Sequence, residues 1–286
     1  YTCSDSVEAP DAILVRSASM HEMTLSPATL AIGRAGAGVN NIPVADFGAQ
    51  GVAVFNTPGA NANAVKELVL CSLFLASRKV ASAVDWCKTL KGEGDAVGKL
   101  VEKGKSAFAG PEILGKTLGV IGLGAIGLTS KGIKLMSSLD ELYAASDYIT
   151  LHLPLNDSTR GMINGEAIAK MKDGVRILNF ARGELVDSDA LIAALGSGKA
   201  AAYVTDFPTD AQIGVDGVTA IPHLGASTPE SEENCAAMAA VEIADYLEKG
   251  AVKNSVNLPN TNLPESFESR TCFIHNEDET FGTKVT

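Results

Sequence analysis

The sequence predicts an α/β protein whose parallel strands form doubly wound sheets. Short apolar, β-branched runs alternate with segments of helical period. The glycine loop Gly122-Leu123-Gly124-Ala125-Ile126-Gly127 directly follows one such run. Of the chemistry-bearing residues, Arg182 comes just after another such run and His223 lies further along the chain.

Taken in order, Ala12–Val15 and Gly51–Phe55 read as short buried strands. Residues 63–76 read as a helix, with Val65, Leu68, Val69, Ser72 and Leu73 on one face. Residues 86–105 read as helix and then loop, rich in lysine and glycine. Thr117–Ile121 is the strand that leads into the glycine loop, and 148–152, 175–179 and 202–205 are further strands. Residues 188–195 form a short helix capped by Asp187 or Ser188. A long amphipathic helix over 230–249 is closed by Gly250. Residues 260–286 show no sustained period and read as a tail or domain fragment.

A 286-residue chain with 46% hydrophobic and 20% charged residues can bury a proper core, so disorder is excluded. The longest apolar run, residues 68–76, is too short to span a membrane. A net charge of −11 argues against nucleic acid or an anionic membrane surface as partner. Five scattered cysteines (Cys3, Cys71, Cys87, Cys235 and Cys272), with no CxxC spacing, fit a reduced, cytoplasmic protein without a metal site.

The glycines of GxGxxG permit a tight turn and a close approach of backbone to a pyrophosphate, which then sits at a helix N-terminus. By itself the motif is weak; after a strand it points to a dinucleotide. A Rossmann unit would continue with a helix, a second strand and an acid ~20 residues on, for the ribose hydroxyls. Asp140 reads as an early helix residue and Asp147 as preceding a strand, and neither is assigned that role. Arg182, in Asn179-Phe180-Ala181-Arg182-Gly183, reads as a planar fork for a substrate carboxylate, the alternative being a pair with Glu184 or Asp187. His223, in Pro222-His223-Leu224-Gly225, reads as a proton carrier, the alternative being a hydrogen-bonded structural histidine. A nicotinamide loop, a carboxylate-binding arginine and such a histidine suffice to oxidise an alcohol next to a carboxylate.

Together these motifs, with Leu14–Ser19, Gly33–Asn40, Asn56–Asn61, Leu151–Pro154 and Pro222–Thr228, resemble the D-isomer-specific 2-hydroxyacid dehydrogenases over about residues 12–259. The similarity is to the branch that oxidises phosphoglycerate. The resemblance implies a flavodoxin-like substrate domain from residues 1–78 and 229–259, and a Rossmann-like cofactor domain from 79–228 between them. It also implies that about thirty residues are missing between Gly127 and Leu135, including the strand that carries the ribose-binding aspartate.

By resemblance the catalytic residues are Arg182, His223 and Asp210, the last standing where the family has a glutamate that orients the histidine. An exposed turn acid is the alternative for Asp210. NAD would be held by Gly122, Gly124, Ala125, Ile126, Gly127, Leu153, Pro154, Phe180, Ala181, Arg182, His223, Gly225 and Ala226. Asp206 would hold its nicotinamide amide. Arg16, Ser17, Arg34, Ala35, Gly36 and Arg182 would hold a phosphorylated 2-hydroxy acid, although Arg34 could equally pair with an acid. Asn40 and Asn61 are polar liners, and His152 is a pocket wall or core residue.

The implied reaction is NAD-dependent oxidation of 3-phospho-D-glycerate to 3-phosphohydroxypyruvate, a step of serine synthesis, by a homodimer or larger assembly. The alternatives are a hydroxypyruvate or glyoxylate reductase, and a catalytically impaired nucleotide sensor of the same fold.

Overall fold

The computed structural model describes residues 1–122 and 133–261. Two compact units result, Tyr1–Asn63 with the chain from Thr228 onward, and Ala64–Ser227. Both are parallel α/β, as the alternating pattern predicts.

In the first unit, β1 (Ala12–Val15), β2 (Ala31–Arg34) and β3 (Ala53–Asn56) pair in parallel in the order β1-β2-β3. Ile32 and Val54 pack on one face with Met20, Ile42 and Phe47, the last from α1 (Val44–Ala49). Ala31, Ala53 and Phe55 pack on the other face with Ile243. That residue belongs to the helix predicted near the C-terminus, here α8 (Pro229–Lys249). The close approach of α8 needs Gly33, where a Cβ would stand 3.0 Å from the Ile243 side chain and 3.4 Å from the Ala239 carbonyl. Asn257 then lies along β3 like a further strand, accepting from Val54 N–H (2.9 Å) and donating to the Val52 carbonyl (2.8 Å).

The second unit carries five parallel strands in the order β4-β5-β6-β7-β8: Leu118–Ile121, Tyr148–Leu151, Val175–Asn179, Ala200–Thr205 and Val218–Ala220. Alternate residues point to opposite faces. Ile149, Leu151, Ile177 and Tyr203 belong to one core with residues of α5 (Leu139–Ala145), α6 (Gly165–Lys170) and α7 (Ser188–Ser197). Tyr148, Leu178, Ala202 and Val204 belong to another, with Val69 and Ala76 of α2 (Ala62–Ser77). This packing is why the division between units falls at 63/64, where the sequence reading placed it after residue 78. The strand order runs without reversal from β4, so the described strands form one side of a doubly wound sheet.

Asp187 caps α7 by accepting from Ala190 N–H, and Gly250 closes α8 in the left-handed region, as the sequence indicates. The segment 86–105, read as helix and then loop, instead contains the end of one helix, α3 (Val80–Thr89), and the whole of a second, α4 (Val97–Gly104). Left-handed Gly92 and Gly94 separate them. Gly124, Ala125, Ile126 and Gly127 of the glycine loop, and nearly all of the proposed tail, lie outside the described residues. Among the described residues, no helix is long and apolar enough to cross a membrane.

Candidate active site

All strands of a parallel sheet present their C-terminal ends at one edge, where ligands of α/β folds bind. Arg182 follows β6, Asp206 follows β7 and His223 follows β8, so the second sheet delivers all three to that edge.

Asn179, fully buried at the end of β6, shapes the arginine loop. Its Nδ2 donates to the Arg182 carbonyl (2.8 Å) and to the Tyr203 hydroxyl (3.1 Å), and its Oδ1 accepts from Ala181 N–H (3.1 Å). The guanidinium lies over the Phe207 ring, 5.3 Å from its centroid, and Nη1 donates to the Ala181 carbonyl. Phe207 also meets the His223 ring at 4.3 Å between centroids. One aromatic ring therefore contacts both the cation and the imidazole. Gly183 lets the chain pass close by, since a Cβ there would stand 3.0 Å from the Phe207 carbonyl. A cavity of about 400 Å³ beside this cluster is lined by Gly183, Glu184, Phe207, Pro208 and Thr209, among others.

Asp206 is 2% exposed. Its Oδ2 accepts from Gly225 N–H (3.0 Å), which ties β7 to the histidine loop, and its Oδ1 has no hydrogen-bond partner. Burial pushes the carboxyl above the ordinary aspartate range, against the pull of the Gly225 N–H and of His223. Asp210 is placed differently from the reading that it orients His223. It opens an exposed 3-10 turn, and no hydrogen bond or ion pair joins it to the imidazole. The capping box of Thr209 and Gln212 holds that turn in place. Asp206, by contrast, lies near enough to His223 for the imidazole to favour its charged form.

Phe180, Ala181 and Gly225 are buried beside these groups; Leu153 and Ala226 are half-buried and Pro154 is exposed. Gly122 sits at φ 94°, and a Cβ there would stand 2.3 Å from the His152 carbonyl, so only glycine lets β4 end this close to β5. The His152 imidazole is in hydrogen-bond contact with Thr150 Oγ1 (2.9 Å), and burial lowers its pKa, as suits a core residue. Asp140 is engaged by Lys170 and Asp147 by Thr117 N–H and Lys172, which agrees with leaving both out of the ribose site.

The residues proposed to hold substrate belong to the first unit, apart from Arg182. Arg16, just after β1, pairs with Glu232 of α8 through Nη1 at 2.7 Å. Asn41 fixes the loop from Arg16 through Ser17 by donating to the Arg16 and Ala18 carbonyls. Thr57 Oγ1 accepts from Gly36 N–H (2.7 Å), and Ala35 N–H donates to the Val15 carbonyl. Gly36 is at φ 145°, and any Cβ there would collide with the Arg34 guanidinium. Asn40 accepts from the His21 ring through its carbonyl, so its backbone has a structural role.

Within the second unit, Arg182, Asp206 and His223 thus meet at one sheet edge. Residues 128–225 match the family model described as D-isomer specific 2-hydroxyacid dehydrogenase, NAD binding domain. The chain is 40% identical over 231 residues to a hydroxypyruvate reductase of Thermotoga maritima, covering 70% of this chain and 72% of that one. It is 36% identical over 260 residues to a D-3-phosphoglycerate dehydrogenase of Methanocaldococcus jannaschii, covering 80% of this chain and 48% of that one. Among solved structures, a glyoxylate reductase of Paecilomyes thermophila superposes with TM-score 0.70 at 29% identity, covering 86% and 83% of the two chains. An NAD⁺-bound 3-phosphoglycerate dehydrogenase of Entamoeba histolytica superposes with TM-score 0.66 at 29% identity, covering 87% and 82%.

The chain belongs to the D-isomer specific 2-hydroxyacid dehydrogenase family and carries its NAD binding domain. It spans about half the length of the phosphoglycerate dehydrogenases it matches. The match to such an enzyme from Synechocystis runs over 314 positions, 28 more than the 286 residues present here, so that relative has residues with no counterpart in this chain.

Sequence reasoning missed Asn179 and Phe207 as organisers of the site. A polar amide closing an apolar strand was the available signal for Asn179. Phe207 gave none, since its role depends on two other loops.

Proposed function

We propose that this chain interconverts a D-2-hydroxy acid and its 2-oxo acid, with His223 as proton carrier and Arg182 as carboxylate holder. The single observation that carries this reading is the convergence of Arg182, Asp206 and His223 around Phe207 at one sheet edge. When bound, NAD supplies the hydride acceptor. In the oxidation the substrate carbon loses a hydride and its hydroxyl proton passes to the imidazole, leaving a carbonyl; reduction returns both. Arg182 offers two parallel donors to the substrate carboxylate, which fixes the face presented to the cofactor. The buried, unpartnered Oδ1 of Asp206 suits an amide N–H of the nicotinamide, and the close turn at Gly122 suits a nearby phosphate.

The proposed substrate is 3-phospho-D-glycerate, its distal end held by Arg16, Ser17, Arg34, Ala35 and Gly36. Hydroxypyruvate or glyoxylate is the second reading, favoured by the 40% identical reductase. Turnover measured side by side on 3-phosphoglycerate, glycerate and hydroxypyruvate decides. No turnover on any of them, with NAD still bound, overturns the enzyme reading in favour of a nucleotide sensor.

The assembly is proposed to be a homodimer. Neither α3 nor α4 contains a buried residue, and Phe74, Val84 and Leu114 are 55%, 51% and 86% exposed. Light scattering at micromolar concentration should give twice the monomer mass; a monomer contradicts the proposal.

A further inference from the structure

We infer that Glu232 is a specificity-determining residue, a built-in carboxylate that competes for Arg16 and lowers the preference of the site for a phosphorylated acid over its unphosphorylated counterpart. The inference rests on the proposal that Arg16 faces the distal end of the substrate. Arg16 and Glu232 are far apart in sequence, and the fold of the first unit joins them, because α8 packs on β1 and β2. The contact is a single one, Nη1 to Oε1 at 2.7 Å, and the two side chains are 44% and 47% exposed. It is therefore open to solvent and can exchange partners, as an exposed ion pair holds only weakly.

The surroundings of the pair add to its effect. Glu232 lies in the first turn of a 21-residue helix whose N-cap, Thr228, accepts from Ser231 N–H. The helix dipole favours a carboxylate there. Glu230 and Glu233, both exposed, flank it in the run Pro229-Glu230-Ser231-Glu232-Glu233. A phosphate monoester brings a charge of about −1.5 to −2 at neutral pH. To reach Arg16 it must displace the Glu232 carboxylate, whereas an uncharged hydroxymethyl or aldehyde end does not compete for the guanidinium. Displacing an exposed carboxylate of like charge opposes binding by about two- to fivefold.

Glu232→Gln keeps the shape and removes the charge. The test compares kcat/KM for 3-phosphohydroxypyruvate and hydroxypyruvate in the native chain, in E232Q and in R16Q/E232Q. The inference predicts that E232Q raises the ratio in favour of the phosphorylated substrate by about two- to fivefold, and that removing Arg16 abolishes the gain. An unchanged ratio, or a gain that survives without Arg16, overturns it. A calorimetric titration with 3-phosphoglycerate separates this inference from the reaction assignment. Tighter binding to E232Q supports the role of Glu232 even if no variant turns over, in which case only the reaction assignment fails. Equal binding to E232Q and the native chain counts against Glu232 whatever the turnover.

Discussion

The two sides of the second sheet differ in completeness. From β5 to β8 the edge is well furnished: Asn179 sets one loop, Asp206 ties down another, and Phe207 joins the arginine to the imidazole. At β4 the sheet has one neighbouring strand among the described residues, and Leu118 is 41% exposed. A doubly wound sheet holds the reactive end of its cofactor with one side and the adenosine end with the other. Arg182 and His223, the residues proposed for carboxylate binding and proton transfer, lie on the β5–β8 side. Among the described residues, the side toward the ribose ends at β4 and Gly122. The lesson is that chemistry and nucleotide affinity are separable in this fold, because different strands carry them.

The sharpest way to separate them is His223→Ala. Turnover should fall by ~10²–10⁴-fold while NAD binding, followed by calorimetry, stays close to native. Arg182→Lys should be comparably severe for turnover, since a point charge cannot reproduce a two-donor fork. Near-normal turnover in either variant would mean that the β5–β8 side is not the catalytic one.

The complementary experiment adds to the β4 side. Inserting between Gly127 and Leu135 the helix–strand segment of a relative, with its strand-ending acid, should tighten NAD about ten- to a hundredfold. A carboxylate accepting from ribose hydroxyls contributes ~1.5–3 kcal/mol per charge-assisted bond. Unchanged affinity in a folded insertion variant would show that the present loop already suffices.

Legibility in the sequence followed the same physics. β4 to β7 were readable because apolar, β-branched runs mark buried parallel strands. The cap at Asp187 and the stop at Gly250 were readable because each is local chemistry. β2 was not read, because Gly33 breaks its β pattern, and only the packing of α8 explains why glycine is required. β8 escaped because three residues carry too little pattern. Arg182 and His223 stood out from their local motifs as candidates, and Asp206 only through the family resemblance. The position of Asp210, the Phe207 bridge and the Arg16–Glu232 pair depend on long-range contacts that leave no local trace.

A smaller effect is expected where the two sides of the sheet join. Asp147 Oδ2 accepts from Thr117 N–H at 2.8 Å and so fastens the start of β4 to β5. That hydrogen bond, with help from Lys172, holds the carboxyl below the usual aspartate range. A depressed carboxylate adds stability above its unfolded pKa of ~3.9, and the gain is lost as pH falls through the folded value. Asp147→Asn should therefore lower the melting temperature by a few degrees at neutral pH, with the difference shrinking below about pH 4. A difference that does not change with pH would assign the effect to packing.

The most direct test of the account is NADH formation by the native 286-residue chain as a function of NAD concentration, at saturating hydroxy acid. Turnover should appear in the native chain and fall by ~10²–10⁴-fold in His223→Ala, with the NAD concentration at half-saturation nearly the same in both. No turnover at any NAD concentration, or turnover unaffected by His223→Ala, would contradict it.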